Sequence, residues 1–388
     1  MKEGHKIYEE AEFRVGSLGE KERIARFLDQ IFGDKPNRKR YVEWLYSENP
    51  DCLEGGVNSI VAVRFDGGDI VGHSGLILDT LCNKNESVLL AWGADYGVDP
   101  SFRGKGYAKR LLVETLKNVD CYVNVCMAKS TIAVMTKLGG VKLGEAHTMI
   151  MPLTWSRYSA YVALKNRLKS FRRDEWAVMH RLMITLRRLN MEWLPSYTYL
   201  IGWKLKESMA KRGSTKKDDI VAKKEPFSRT LYEHAKKEVK SSSKNLIWNW
   251  EKLVWAVRFC VEEAYFITIS KSGELAALLC CRGPVGHGER VSVILYKIII
   301  DDAVFRTSTV AWRELVRIGG GDAIVDVQFK ADGNSYFAEN EWIVGRRRPV
   351  IANCNFALSD EKGEILKQKL INMSMIDDEF HRIPIKVM

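Results

Sequence analysis

Apolar and polar residues alternate from Glu12 to Leu18, which predicts a first strand. Ile24, Phe27, Leu28 and Ile31 then recur at helical spacing from Glu20 to Phe32, and Gly33 stops the run. A second helix is expected over Asn37 to Tyr46, with Tyr41, Trp44 and Leu45 on one face and Asn49-Pro50 beyond it. Ser59 to Phe65 and Ile70 to Leu78 read as two strands joined through Asp66-Gly67-Gly68-Asp69, a tight-hairpin signal. Ser87 to Val98 is a further strand, interrupted by Gly93 and Gly97. Such glycines imply a bulge or the close approach of a ligand to the backbone. Tyr107 to Val119 is amphipathic, with Leu111, Leu112, Thr115 and Leu116 recurring. Cys121 to Met127 predicts a short apolar strand, Ser130 to Leu138 a helix ended by Gly139-Gly140, and Val141 to Leu153 one or two closing strands. This order makes one mixed α/β unit, with a mostly antiparallel sheet and flanking helices, ending near Leu153.

From Thr154 to about Met209 the pattern is helical. Lys211 to Lys240, rich in Lys, Ser and Glu, reads as a mobile or loosely helical linker. A second globular unit starts near Ser243. Asn245 to Val257 predicts a Trp-rich helix, and Tyr265 to Ser270 and Leu275 to Arg282 two strands around Lys271-Ser272-Gly273-Glu274. Val291 to Ile300 follows as a long apolar strand, Ser308 to Arg317 as a helix before Gly319-Gly320-Gly321, and Ala323 to Phe329 as a strand. Ala331 to Glu339 is expected as a short helix and Arg348 to Leu358 as a last strand. This order parallels the first unit, and NWEKLVWAVRF is a loose counterpart of RYVEWLYSENP. The chain is therefore expected to repeat one fold in tandem, as residues 1–154, a basic helical connector over 155–242, and residues 243–388.

Charge sharpens that division. Ser156 to Thr230 holds 18 Lys and Arg against 7 Asp and Glu, which accounts for the whole net charge of +11. The connector is either a set of solvated helices or a surface for phosphates, nucleic acid or an anionic membrane. No apolar run approaches the roughly 20 residues of a spanning helix, and the first ten residues lack the apolar core of a signal peptide. The eight cysteines form no CxxC pair and have no His at a zinc-ligand spacing. Most lie among Val, Leu and Ile, so a reduced, cytoplasmic protein without a structural metal is expected.

Candidate chemistry concentrates in GVDPSFRGKGYAKRLL, which ends a strand and opens a helix. Arg103, Gly104, Lys105, Gly106, Tyr107 and Ala108 fall in the loop and the first turn. Unpaired backbone N–H groups and the helix dipole converge there and favour a phosphate. Gly104 and Gly106 allow close approach, and Arg103 and Lys105 add cations. The GK[ST] ending of a P-loop is missing, and so is GxGxxG with its downstream acid.

Val98 to Ala108, V-x-P-x-F-R-G-K-G-Y-A, resembles motif A of the GNAT superfamily of acyl-CoA N-acyltransferases. Arg103, Gly106 and Ala108 meet its R-x-x-G-x-A pattern, and the element order resembles the GNAT fold over roughly Ile7 to Leu153. The resemblance implies two GNAT-like domains, with acetyl-CoA or another short acyl-CoA lying between the Ser87–Val98 and Cys121–Met127 strands. It implies that Tyr96, Gly97 and Val98 offer backbone groups to the pantetheine arm. It also implies that Asp95 accepts the acceptor amine's proton. Asp95 as a mere orienting residue, and His73 on the facing strand as the base, stay open. Many relatives carry a Tyr just before K-x-G-F in the next helix to protonate the leaving thiolate. Here that place is taken by Met135. The Gly319-Gly320-Gly321 turn follows a helix instead of opening one, so the second unit is expected to read the acceptor and not to bind coenzyme.

Tandem chains of this length resemble nucleotide-sugar N-acyltransferases of bacterial surface-polysaccharide loci, of the anthrose-pathway type. That resemblance implies a nucleotide-linked amino sugar, with its diphosphate met by the connector or by Arg346-Arg347-Arg348. Three alternatives remain: an aminoacyl or peptidyl acceptor, such as one carried on RNA, a non-catalytic acyl-CoA-binding protein, and recruitment of a transferase to a membrane surface.

Overall fold

Strand pairing begins at β1 (Ala11–Ser17) and proceeds antiparallel through β2 (Gly56–Arg64), β3 (Ile70–Cys82) and β4 (Ser87–Val98). The computed structural model describes residues 11–34, 37–53, 56–65, 68–82, 86–125, 128–152, 201, 219–239, 247–258, 263–285, 291–320, 323–330, 343–355, 359–363 and 365–366. α1 (Lys21–Phe32) and α2 (Arg38–Val42), the latter continued by a π-helical turn over Glu43–Ser47, cover one face. They bury Ile24, Phe27, Leu28 and Trp44 with Ile77 and Trp92. α3 (Tyr107–Asn118) covers the other face, where Leu111 and Leu112 meet Leu76, Leu78 and Ala91. Successive strand residues point to opposite faces, so a strand covered on both sides loses the alternation that marks a half-exposed one.

β5 (Cys121–Asn124) runs parallel to β4, α4 (Lys129–Lys137) follows, and Val141 to Pro152 forms the single strand β6. The second half repeats the order. β7 (Ile220–Pro226), α5 (Arg229–Glu238) and α6 (Trp250–Val257) lead to β8 (Ala264–Lys271), β9 (Glu274–Val285) and β10 (Val291–Ile299). α7 (Asp302–Thr307), α8 (Thr309–Ile318), β11 (Ala323–Lys330) and β12 (Ile343–Cys354) complete it. β10 and β11 are parallel, as β4 and β5 are.

All twelve strands belong to one sheet, in the order β1-β2-β3-β4-β5-β12-β6-β11-β10-β9-β8-β7. Each half lends its last strand to the other. β12 pairs with β5, β6 pairs with β11, and the two lie against each other. The helices join in the same reciprocal way. Trp44 Nε1 donates to the Trp255 carbonyl at 3.0 Å and Trp255 Nε1 to the Trp44 carbonyl at 2.9 Å. Beside them the ammonium of buried Lys252 meets Asp79 at 3.1 Å and also contacts Asp51 and the Leu78 carbonyl.

Three expectations are corrected. β7 and α5 occupy part of the stretch read as a linker. β7 is an edge strand with exposed Val221, Lys223 and Lys224, and so looks polar in sequence. Phe227 behind it stacks on Trp250 and Phe266 at 4.9 and 5.0 Å. α7 was not expected. Asp301 caps it by accepting from the Val304 N–H at 3.1 Å. The cysteines were expected to be reduced, whereas Cys121 and Cys354 are register partners on β5 and β12 and are bonded to each other. The helices expected over 154–209, apart from residue 201, and over 331–339 lie outside the described residues. No helix among the described residues is long and apolar enough to cross a membrane.

Candidate active site

β4 and β5 pair only at Leu90↔Cys121, Ala91↔Tyr122 and Trp92↔Val123. β5 ends at Asn124, while β4 continues to Val98 with β3 as its only strand partner among the described residues. The two strands therefore fork. The backbone groups of β4 that point away from β3 past Trp92 are left for a ligand. Within this stretch His73 pairs with Gly97 and Gly75 with Ala94, so Asp95 and Tyr96 bulge outward. Asp95 bears the strain of the bulge, at a φ of 45°. The bulge expected in this strand lies between its two glycines, and each glycine also makes room for a neighbour. A methyl on Gly93 would overlap the Tyr122 hydroxyl and the Asn124 amide, and one on Gly97 would press on Ile31 and Phe32 at 3.1 and 3.3 Å.

The bulge aims Asp95 at two tyrosines. Tyr41 Oη donates to its Oδ2 at 2.8 Å and Tyr46 Oη to the same oxygen at 2.7 Å. Residues five apart on an α-helix sit ~140° apart around the axis. The π-helical turn, closed by the Glu48 N–H to the Glu43 carbonyl at 3.1 Å, removes that separation. Gly75 on β3 makes room for the Tyr46 hydroxyl, which a methyl there would overlap. Burial first, and then the Asp95 charge, push both phenols well above their ordinary pKa, so both stay protonated and keep donating. Asp95 itself is half-buried, and its Oδ1 has no partner among the described residues.

His73 sits behind this cluster. It is fully buried, with Nδ1 at 3.0 Å from the Asp95 carbonyl oxygen. A carbonyl only accepts, so Nδ1 carries the proton. Burial holds the imidazole below its ordinary pKa against the pull of that carbonyl, and it is neutral. Its Nε2 is buried without a hydrogen-bond partner among the described residues. Asp95 and His73 are thus brought together, but only Asp95 has a surface that an acceptor can reach.

The loop that follows β4 is organised by Asp99, which caps a 3-10 turn over Pro100–Phe102 by accepting from Ser101 N–H at 2.8 Å. Arg103 Nε donates to the Val98 carbonyl at 3.2 Å. Gly104 and Gly106 adopt φ of 80° and 84°, values that disfavour any side chain, and nothing lies within 4 Å of a Cβ at either. Arg103, Gly104, Lys105 and Gly106 are all exposed. The first helical hydrogen bond runs from Arg110 N–H to the Gly106 carbonyl at 3.1 Å, so the N–H groups ahead of it are the orphans of a helix start. Tyr96 Oη donates to the Ala108 carbonyl and ties β4 to this turn. Tyr107 is buried between Phe13 and Phe102, with ring centroids at 5.2 and 5.3 Å. An open, exposed cradle at a helix start fits a pyrophosphate.

The second half has a similar fork followed by a different turn. β10 and β11 pair only from Val291 to Val293, yet α7 begins at once, with Asp301 and Asp302 at its start. Two carboxylates repel the phosphate that such a turn would otherwise attract. The counterpart of Asp95, three residues past the fork, is Tyr296, which stacks on Trp248 at 4.8 Å. The backbones of Arg346, Arg347 and Arg348 lie in β12, but their side chains fall outside the described residues. Met135, at the position of the missing Tyr, is a buried thioether.

From the sequence Tyr41 was read as sharing a helix face with Trp44 and Leu45, and Tyr46 only as the last residue of that helix. The only signal for them was the RYVEWLYSENP run itself, because a π-helical turn has no sequence period of its own.

Residues 23–139 match the Acetyltransferase (GNAT) family. No curated protein matches the chain. Among solved structures, the chain is similar to a GCN5-related N-acetyltransferase from Anabaena variabilis, with TM-score 0.52 and 11% identity over 89% of this chain and 72% of that one. It is also similar to a conserved protein of unknown function from Enterococcus faecalis, described as a probable N-acyltransferase, with TM-score 0.53, 11% identity and the same coverage of each chain. At that identity the likeness is one of fold.

Proposed function

We propose that this chain, an acyl-CoA-dependent N-acyltransferase whose GNAT domain spans residues 23–139, moves a short acyl group onto the amine of a nucleotide-linked amino sugar. The observation that carries the amine reading is the Asp95 carboxylate, turned out by a bulge and gripped by two tyrosine hydroxyls on the strand that leads to the phosphate-binding turn. Acyl-CoA supplies the thioester. Residues 103–108 hold the pyrophosphate, and the backbone of Tyr96, Gly97 and Val98, on the side of β4 away from β3, aligns the arm. Asp95 Oδ1 takes a proton from the ammonium of the acceptor, while Tyr41 and Tyr46 keep the carboxylate in place. Backbone N–H groups near Val98 face the oxyanion that forms as the amine attacks. The reading places the enzyme in the cytoplasm, with the acyl-CoA and nucleotide-sugar pools, in polysaccharide biosynthesis. Support for the sugar comes from the tandem layout and from a second half whose described residues carry no glycine-rich turn at a helix start, which leaves that half to meet the acceptor.

Thiol release from acetyl-CoA, measured against dTDP- and UDP-linked amino sugars with the matching hydroxy sugars as blanks, tests the proposal. Release with one amino sugar alone supports it. Coenzyme binding without release for any amino sugar contradicts the acceptor class.

A further inference from the structure

Behind the Asp95 carboxylate lies a second hold on the same residue. Across the bulge His73 pairs with Gly97 and Gly75 with Ala94, so Asp95 and Tyr96 have no register partner on β3. A bulged residue loses its place in the ladder, and a buried carbonyl left without a donor is unfavourable. The Asp95 carbonyl is supplied from the side instead, by the Nδ1–H of His73 at 3.0 Å. His73 is fully buried and flanked by Phe27 and Tyr46, with ring centroids at 6.4 and 5.4 Å. Its Nε2 has no hydrogen-bond partner among the described residues, so the bond to Asp95 is what the ring's polarity serves there. An apolar side chain would fill the same space without orphaning a nitrogen. What the imidazole adds is a donor aimed at one carbonyl.

Backbone at a φ of 45° is uncommon for residues other than glycine, and it persists only where the surroundings over-determine it. Three donors do so here. Tyr41 and Tyr46 hold the Asp95 side chain, and His73 holds its main chain. Carboxylate and carbonyl are gripped separately, which fixes where Oδ1 points. We propose that His73 is a positioning residue, whose Nδ1–H keeps the Asp95 peptide turned so that the carboxylate faces the acceptor. Without this donor the buried carbonyl would be left unsatisfied. The backbone would relax towards ordinary strand angles and the carboxylate would swing off its line. The turn from Arg103 to Ala108 would be untouched. This rests on Asp95 as the proton acceptor, and it makes His73 act through Asp95 and not as a base itself.

The test is a double-mutant cycle on His73 and Asp95, read by thiol release from acetyl-CoA with the dTDP- and UDP-linked amino sugars as acceptors. His73→Leu is expected to lower kcat roughly tenfold, the worth of about one hydrogen bond, with the KM for acetyl-CoA within about twofold. In an Asp95→Asn background the same change should make no further difference, because the residue it positions no longer takes a proton. His73→Asn, whose Nδ2 can reach the place of Nδ1, should recover most of the loss. An equal loss in both backgrounds, or no rescue by His73→Asn, overturns the assignment. Should His73→Leu not fold, or no amino sugar support release, the wild-type tautomer decides. Nitrogen NMR of the imidazole is expected to find the proton on Nδ1, and a proton on Nε2 alone overturns the proposal. An Asp95→Asn chain as active as wild type is a separate outcome, which removes the base reading beneath it.

Discussion

At the scale of single residues, the proposed chemistry rests on one carboxylate and two phenols. Asp95→Asn keeps the shape and both tyrosine contacts but loses the proton acceptor. Turnover should fall at least ~100-fold while acetyl-CoA affinity stays within about threefold. Near-native turnover across pH, read by thiol release, would remove the base role from Asp95. Tyr46→Phe deletes one of the two donors and should lower turnover roughly tenfold with little change in stability, a loss in the range of one charge-assisted hydrogen bond. Asp95 was legible in the sequence because it stands just before the Arg103–Ala108 motif. Its partners were not, because α-helical periodicity puts Tyr41 with Trp44 and Leu45 and sends Tyr46 elsewhere. His73 was legible as a nearby imidazole, but its burial was not, since burial depends on Phe27 and Tyr46 packing over it.

At the scale of elements, the site depends on how strands turn into helices. The joint between β1 and α1 is held by buried Glu20, which accepts from Arg14 Nη1 at 2.7 Å, Arg23 Nη1 at 3.1 Å and the Ser17 N–H at 2.9 Å. Burial alone would raise its pKa, but Arg14 and Ser17 together bring it from an ordinary 4.5 down to about 2. A depressed carboxylate stabilises the fold above its unfolded value and loses that contribution as pH falls towards the folded one. Glu20→Gln should therefore cost about 2 kcal/mol at pH 7. The gap from wild type, measured by urea unfolding, should shrink from about pH 5 downward and nearly close at about pH 2. A gap independent of pH would contradict the ion-pair account. Most elements were legible from period and punctuation: Ser87 to Val98 matches β4, and Gly33 ends α1 as expected. β7 was missed because a one-sided edge strand carries Lys where a central strand carries Val. α7 was missed because six residues are too few to establish a helical period.

At the scale of the whole molecule, the sheet is continuous because each half completes the other with a strand. The tandem repeat was legible in element order, but the exchange of β6 and β12 was not, since strand partners far apart in sequence leave no local pattern. Two halves joined in this way should unfold together. Calorimetry is expected to give one transition, and Trp255→Ala, which removes the reciprocal indole contact with Trp44, should lower the stability of the whole by about 3–5 kcal/mol. Two separate transitions would contradict the shared sheet. The functional account rests above all on the proposal that residues 103–108 hold the coenzyme. The most direct measurement is calorimetric titration of acetyl-CoA into wild type and Gly106→Trp. An indole at this open, positive-φ position would fill the space the pyrophosphate needs. The account predicts binding to the wild type and loss of at least ~50-fold in affinity in a variant that remains folded, at a strain of about 1–2 kcal/mol. Equal affinity in the two proteins would contradict it.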